Sequence, residues 1–234
     1  MILSSLSFKA FAVDFNSELS LPGFKEAGFK VQPLVAFKPE SENSFHNNLV
    51  NFYKDSGEFA KRVFVVTDYP KALGKTEVNY APPRSKIPET ENLIPFETVV
   101  LSRYNGTDDT HLPKILTSWI ETGFSSHAVV TLDGTIVYWV DPILCKGQMA
   151  GTWNKCSVEV LVATDVGQRL VDIQVGSLKS IVDFANAFVN AGKEKIQYML
   201  SHGEARGSKS EGTIVDIDAV RETLVLSNTI VINK

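Results

Sequence analysis

The sequence predicts an α/β protein, a central mixed β-sheet flanked by helices with an irregular N-terminal extension. Three observations carry that reading. The run SSHAVVTLDGTIVYWVD places two β-rich stretches on either side of Asp133-Gly134, a dipeptide that favours tight reversal between strands. Leu112, Ile115, Leu116, Trp119 and Ile120 recur at the spacing of one helix face, and so do Leu178, Ile181, Val182, Ala185 and Val189. An apolar run of strand length precedes each of the two helices, ETVVLSRY the first and CSVEVLVAT the second.

Residues 1–92 read as an arm or extension, and residues 93–234 as the main domain. The first stretch alternates short apolar pieces with Pro22, Pro33, Pro39, Pro70 and the run NYAPPRSKIPETEN, a pattern of extended, turn-rich chain. Within it, Phe45, Leu49, Phe52 and Tyr53 predict a helix behind a Ser44 cap, and Lys61 to Thr67 predict a strand. Such a stretch gains order by packing on its own domain or on a neighbour.

From Phe96 onward the order is more regular. ETVVLSRY opens as a buried strand; the helix from Leu112 is capped by Thr110 and stopped by Gly123. The Asp133-Gly134 hairpin follows, then the loop KGQMAGTWNK, then CSVEVLVAT as a central strand whose valines and leucine flank Glu159. A second helix has Ser177 before it and Gly192 after it. An apolar run near Met199, the loop SHGEARGSKSEGT, a short helix with Ile217, Val220 and Leu224, and a β-like NTIVIN complete the chain.

Composition narrows the function. The 234 residues are 44% hydrophobic and 21% charged, with 27 acidic against 23 basic side chains and a net charge of -4. Binding to nucleic acid or to anionic membranes requires a cationic surface, so neither is expected as a partner. No apolar run approaches the ~18 residues of a membrane span, and the opening MILSSLSFKAFAVDF lacks a basic leader and a clean apolar segment of secretory length, which predicts a chain kept in a reducing cytoplasm unless it leaves by lysis or in a particle. Cys145 and Cys156 have no zinc-clip spacing and read as small buried hydrophobes.

The four histidines are His46, His111, His127 and His202, and no HExxH, GxSxG, Walker loop or dinucleotide fingerprint is present. The succession VVLSRYNGT, SHAVVTLDGTIV, KGQMAGTWNKCSVEVLV, SLKSIVDFANAFVNAG and LSHGEARGSKSEG resembles the zinc-dependent N-acetylmuramoyl-L-alanine amidases of the bacteriophage lysozyme and peptidoglycan recognition protein family. The likeness runs from about Glu97 to Leu226. It implies the same sheet-and-helix fold.

The resemblance also implies where a metal site would stand. The family's zinc ligands, a histidine ending the first strand, a histidine after the second long helix and a cysteine or aspartate eight residues later, fall on Ser102, His202 and Ser210. The tyrosine before the hairpin histidine becomes Ser126, with His127 retained; the polar group two residues before the third ligand becomes Ser208, with Lys209 beside it. The His-Ala-Gly of the substrate loop becomes Met149-Ala150-Gly151. A hydroxyl does not replace imidazole, thiolate or carboxylate in the usual zinc ligand set.

The expectation is a catalytically inactive amidase-fold protein without cofactor, a structural or binding component of a bacteriophage tail or baseplate. Its partners would be neighbouring virion proteins or a second copy, reached through the arm, with peptidoglycan as a candidate ligand. Arg103, Tyr104, His127, Trp153, Asn154, Arg206 and Lys209 are the residues that would line a groove for glycan or peptide. Two alternatives stay open. One is an active amidase with a rearranged site, a carboxylate-rich metal or acid/base centre drawn from Arg103, Tyr104, Asp108, Asp109 and His111 after the first strand and from Glu204 and Glu211 flanking the His202 loop; the other is a peptidoglycan-binding protein that does not cleave.

Overall fold

The computed structural model describes residues 23–37, 44–68, 96–104, 111–122, 124–139, 150, 153–154, 156–164, 168–190, 195–207 and 216–227. The strands are β1 (Lys30–Pro33), β2 (Val63–Asp68), β3 (Thr98–Tyr104), β4 (Ala128–Val130), β5 (Ile136–Tyr138), β6 (Ser157–Ala163) and β7 (Tyr198–Ser201). The helices are α1 (Ser44–Tyr53), α2 (Leu112–Thr122), α3 (Asp172–Phe184), α4 (His202–Ala205) and α5 (Ile217–Leu224). All seven strands join one sheet in the order β1-β2-β5-β4-β6-β3-β7. The pairs β1–β2 and β4–β5 are antiparallel, and the other four neighbours are parallel, so the sheet is mixed as expected.

Side chains alternate between the two sheet faces. On one face, Val99, Leu101, Ala128, Val130, Val158, Val160, Val162 and Met199 pack beneath α1, α3 and α5, which contribute Leu49, Leu178, Ile181 and Val220. On the other, Val129, Val137, Leu161, Ala163 and Tyr104 meet Leu112 and Leu116 of α2. Further along that second face, Val100 and Leu200 meet Ala150, with Trp153 and Ala205 against them. Every residue of β6 is buried, as its central place between β4 and β3 demands.

The sheet crosses the chain division near residue 92. β2 pairs with β5, β1 pairs with β2, and Phe45, Leu49 and Tyr53 of α1 are buried in the same core as α3. Each such side chain contributes about 2 kcal/mol on burial, so the described part of the extension is ordered by packing on its own chain. The 22 N-terminal residues, residues 69–95 with the whole proline-rich run, the Thr110 cap, Gly123 and the NTIVIN run lie outside the described residues.

The hairpin reverses through Leu132, Asp133 and Gly134. The Thr131 amide donates to the Thr135 carbonyl at 3.0 Å and the Gly134 amide to the Thr131 carbonyl at 3.1 Å. Gly134 has φ 79°, the left-handed conformation that closes a three-residue loop. Asp133 Oδ1 accepts from Thr131 Oγ1 at 2.6 Å and from the Thr135 amide at 3.0 Å.

One helix start differs from the expectation. α3 begins at Asp172, so Ser177 lies inside it and is not its cap. The reason is tertiary: Ser177 Oγ donates to the carbonyls of Gly134, at 2.6 Å, and Ile173, at 3.0 Å, so a polar residue sits on the buried face of the helix. Gln174 bonds in the same region, its Nε2 donating to the Ala163 carbonyl at 2.7 Å and the Thr131 carbonyl at 3.0 Å. After α3 a π-helical turn, Ala185–Val189, leads to Asn190, whose side chain brackets Phe96 by accepting from its amide at 2.8 Å and donating to its carbonyl at 2.7 Å.

Along the outer side of β7, Ser227 bridges Tyr198: the Ser227 amide donates to the Gln197 carbonyl at 2.8 Å, and the Met199 amide to the Ser227 carbonyl at 2.9 Å. Arg221 Nε donates to the Met199 carbonyl at 2.9 Å, and the Ser201 amide to Glu204 Oε2 at 2.7 Å. Among the described residues, no helix is long and apolar enough to cross a membrane.

Candidate functional site

The site is set by where β7 stops. β3 and β7 pair in parallel from Thr98–Tyr198 to Leu101–Ser201; the chain then turns into α4 at His202 while β3 continues. Ser102 and His202 therefore occupy successive positions just beyond the last paired residues, at the carboxyl ends of parallel strands where open α/β sheets leave room for ligands. Ser102 shares a face with Val100 and Tyr104, is 7% exposed, and its Oγ is buried with no hydrogen-bond partner among the described residues.

α4 is only four residues long and does not hold itself by its own ladder. A capping box at its start supplies the support: Ser201 Oγ accepts from the Glu204 amide at 3.2 Å while Glu204 Oε2 accepts from the Ser201 amide. The same Oε2 receives Arg221 Nη2 at 2.5 Å. The Arg221 side chain is 5% exposed, and its Nη1 donates to Asp218 at 2.7 Å.

Opposite α4, the loop before β6 forms a knuckle. Asn154 Oδ1 accepts from the Ala150 amide at 2.8 Å, and Ser157 Oγ donates to the Trp153 carbonyl at 2.8 Å. Trp153 packs against the cluster of Val100, Ala150 and Leu200, beside Ala205 of α4. Cys156 closes the knuckle through its amide and is partly buried instead of fully so; burial pushes its thiol up, and the charges of Glu97 and Glu159 add to the shift.

The structure thus places Ser102 and His202 directly after the last β3–β7 pair and Trp153 against Val100 and Leu200 of the same two strands, with Asn154 bracing the loop and Arg206 exposed at the end of α4. Other expected site residues stand elsewhere. Arg103 leaves β3 on the opposite face from Ser102, because neighbouring strand residues alternate, and Tyr104 is buried beneath α2. Ser126 and His127 precede β4, two strands away. His127 is fully buried, and its Nδ1 accepts the Glu159 amide at 2.9 Å, which makes it part of the sheet frame. Ser126 is also fully buried, with no partner for its Oγ among the described residues. Met149, Ser208, Lys209 and Ser210 lie outside the described residues, as do Asp108, Asp109 and Glu211.

Two residues escaped the reading from sequence. Glu159 is completely buried on the Ser102 face of β6, level with Val100; its signal was a lone charge inside an apolar run. Arg221 had no such signal, since its partners Glu204 and Met199 are 17 and 22 residues away.

The matched positions do not fit a zinc ion. Ser102 and Ser210 offer neutral hydroxyls and only His202 an imidazole, while a catalytic zinc takes three protein ligands from histidine, cysteine and carboxylates. Among the described residues no three such side chains are grouped where they would hold a metal.

Fold and site define an α/β protein with a candidate site at the carboxyl ends of β3 and β7. Compared with known proteins, the chain matches no family model and no curated protein. It is similar to the solved structure of the N-acetylmuramoyl-L-alanine amidase LysC from Clostridium intestinale, at a TM-score of 0.47 and 18% identity over 57% of this chain and 87% of that one. It is also similar to the Drosophila peptidoglycan recognition protein SD, at 0.45 and 15% over 57% of this chain and 83% of that one. A third is peptidoglycan recognition protein LE, solved in complex with tracheal cytotoxin, at 0.45 and 12% over 62% of this chain and 91% of that one.

Proposed function

We propose that this chain is an amidase-fold protein that has lost zinc catalysis and serves as a structural or binding component, with a bacteriophage tail or baseplate as its setting. The reading is supported by Ser102 and His202 each coming directly after the last β3–β7 pair, Leu101–Ser201: a hydroxyl stands where the resembled family places a ligand imidazole. Ser210 would add a second hydroxyl. Without an ion, nothing lowers the pKa of an attacking water toward about 7 or polarises an amide carbonyl. The ordered motifs from Glu97 to Leu226 support the amidase fold, and the exposed Arg206 and partly buried Trp153 support a groove for sugar or peptide. No cofactor is assigned, and neighbouring virion proteins or a second copy would be met through the 1–92 stretch.

The test is metal analysis of the purified chain combined with digestion of muropeptides. Substoichiometric zinc and uncut substrate are expected. One zinc per chain with released stem peptides overturns the proposal in favour of an active amidase with a rearranged site. Sedimentation with insoluble cell wall then separates the two inactive roles: a binder pellets, and a purely architectural subunit stays in the supernatant.

A further inference from the structure

We infer that Arg221 is a positioning residue for His202, acting through Glu204; the inference deepens the proposed function and rests on its placing of the groove at His202. Three observations meet here. His202 is the first residue of a four-residue helix, and its backbone geometry depends on the box formed by Ser201 and Glu204. The carboxylate oxygen that closes this box, Glu204 Oε2, also receives the Arg221 guanidinium. That guanidinium is buried and anchored a second time on the Met199 carbonyl of β7. Arg221 therefore ties one carboxylate to the strand frame and leaves it a single place from which to hold the Ser201 amide.

The planar fork explains why the residue is an arginine. Nε and Nη2 reach Met199 and Glu204 at once, from one rigid group, whereas a lysine ammonium would have to choose or share. Asp218, which takes Nη1, has its side chain 79% exposed, so this contact adds little and makes a control. The geometry links α5, at the far end of the chain, to the wall of the groove. Residues that touch a ligand there would keep their identity and lose their aim if the link were cut.

The experiment uses the full chain, with the His202 ring cross-peak assigned by its loss in His202→Gln. Glu204→Gln and Arg221→Met should move that peak by several line widths, Arg221→Lys should move it part of the way, and Asp218→Asn should leave it. Leu224→Ala, which loosens α5 through its apolar contact, should lower Tm without moving the peak. An unmoved peak in Glu204→Gln overturns the inference, and so does an equal shift in Leu224→Ala; should Arg221→Met not fold, Glu204→Gln and Arg221→Lys decide. Binding of a soluble muropeptide should weaken about ten-fold in Glu204→Gln. Absence of muropeptide binding by the unaltered chain counts against the binding role, while the ring signal still judges the positioning.

Discussion

Ser102 of β3 and His202, the first residue of α4, each follow directly on the Leu101–Ser201 pair that ends the β3–β7 ladder. Two chain positions 100 residues apart thus converge on one spot because β7 ends where β3 goes on. An alcohol and an imidazole by themselves fall short of the three ligands from histidine, cysteine and carboxylates that a catalytic zinc takes.

That convergence predicts a gain of function. Ser102→His combined with Ser210→Cys, beside the native His202, should raise zinc affinity on the order of 100-fold or more over the unaltered chain. Competition against a chromophoric chelator measures it. No gain would place Ser210 away from the other two.

Gln174 braces α3 against the hairpin and β6 with one side-chain amide. Gln174→Ala leaves the Thr131 and Ala163 carbonyls and the Val171 amide without that partner. At roughly 1 kcal/mol or more for each unmet buried group, the loss in stability should be about 3 kcal/mol by urea denaturation. A loss below about 1 kcal/mol would mean that water takes over the bonds.

Tyr53 and Tyr138 share a buried hydroxyl contact of 2.9 Å, to which Ser180 Oγ donates at 3.0 Å. Burial pushes the Tyr53 phenol up to about 12 from 10.0 and Tyr138 well above 10.0, so the folded state holds both protons more tightly than the unfolded chain. The sign follows: this stability is fully present below pH 10 and is lost as pH rises toward 12. Denaturation curves across that range should show the decline, and Tyr53→Phe combined with Tyr138→Phe should flatten it. An equally steep decline in the double variant would assign it to other groups.

Val225 ends α5 with φ 57°, a left-handed conformation that a β-branched side chain resists, and its side chain has no packing to lose at 90% exposure. Val225→Gly should therefore stabilise the chain by about 1 kcal/mol, read as a rise in Tm. A fall would show that the turn does not need its left-handed residue.

Much of the fold was legible because burial leaves a periodic trace. Leu112, Ile115, Leu116 and Trp119 announce α2, and CSVEVLVAT announces β6, since elements packed on a sheet must present apolar residues at fixed intervals. The first turn of α3 was hidden because Gln174 and Ser177 are polar residues on its buried side, satisfied by carbonyls that only the folded chain supplies. β1, reading KVQP, is too short and too mixed to signal a strand at all. At the site, His202 was readable through the resemblance. Its support was not, because the tie from Arg221 to Glu204 spans two helices and leaves no local pattern. Arg103, next to Ser102 in sequence, lies on the opposite face of β3, because neighbouring residues of a strand alternate between its two sides.

The outer margin of β7 has a consequence for the molecule in crowded surroundings. Its Gln197 and Met199 carbonyls and its Met199 and Ser201 amides are all engaged, two by Ser227 and two by the side chains of Arg221 and Glu204. A strand from another molecule finds nothing there to zip onto, and two charges stand in its way. Aggregation by stacking β7 against a foreign edge would first require the Arg221–Glu204 ion pair to come apart, so the lock that steadies His202 also guards the chain against runaway self-association.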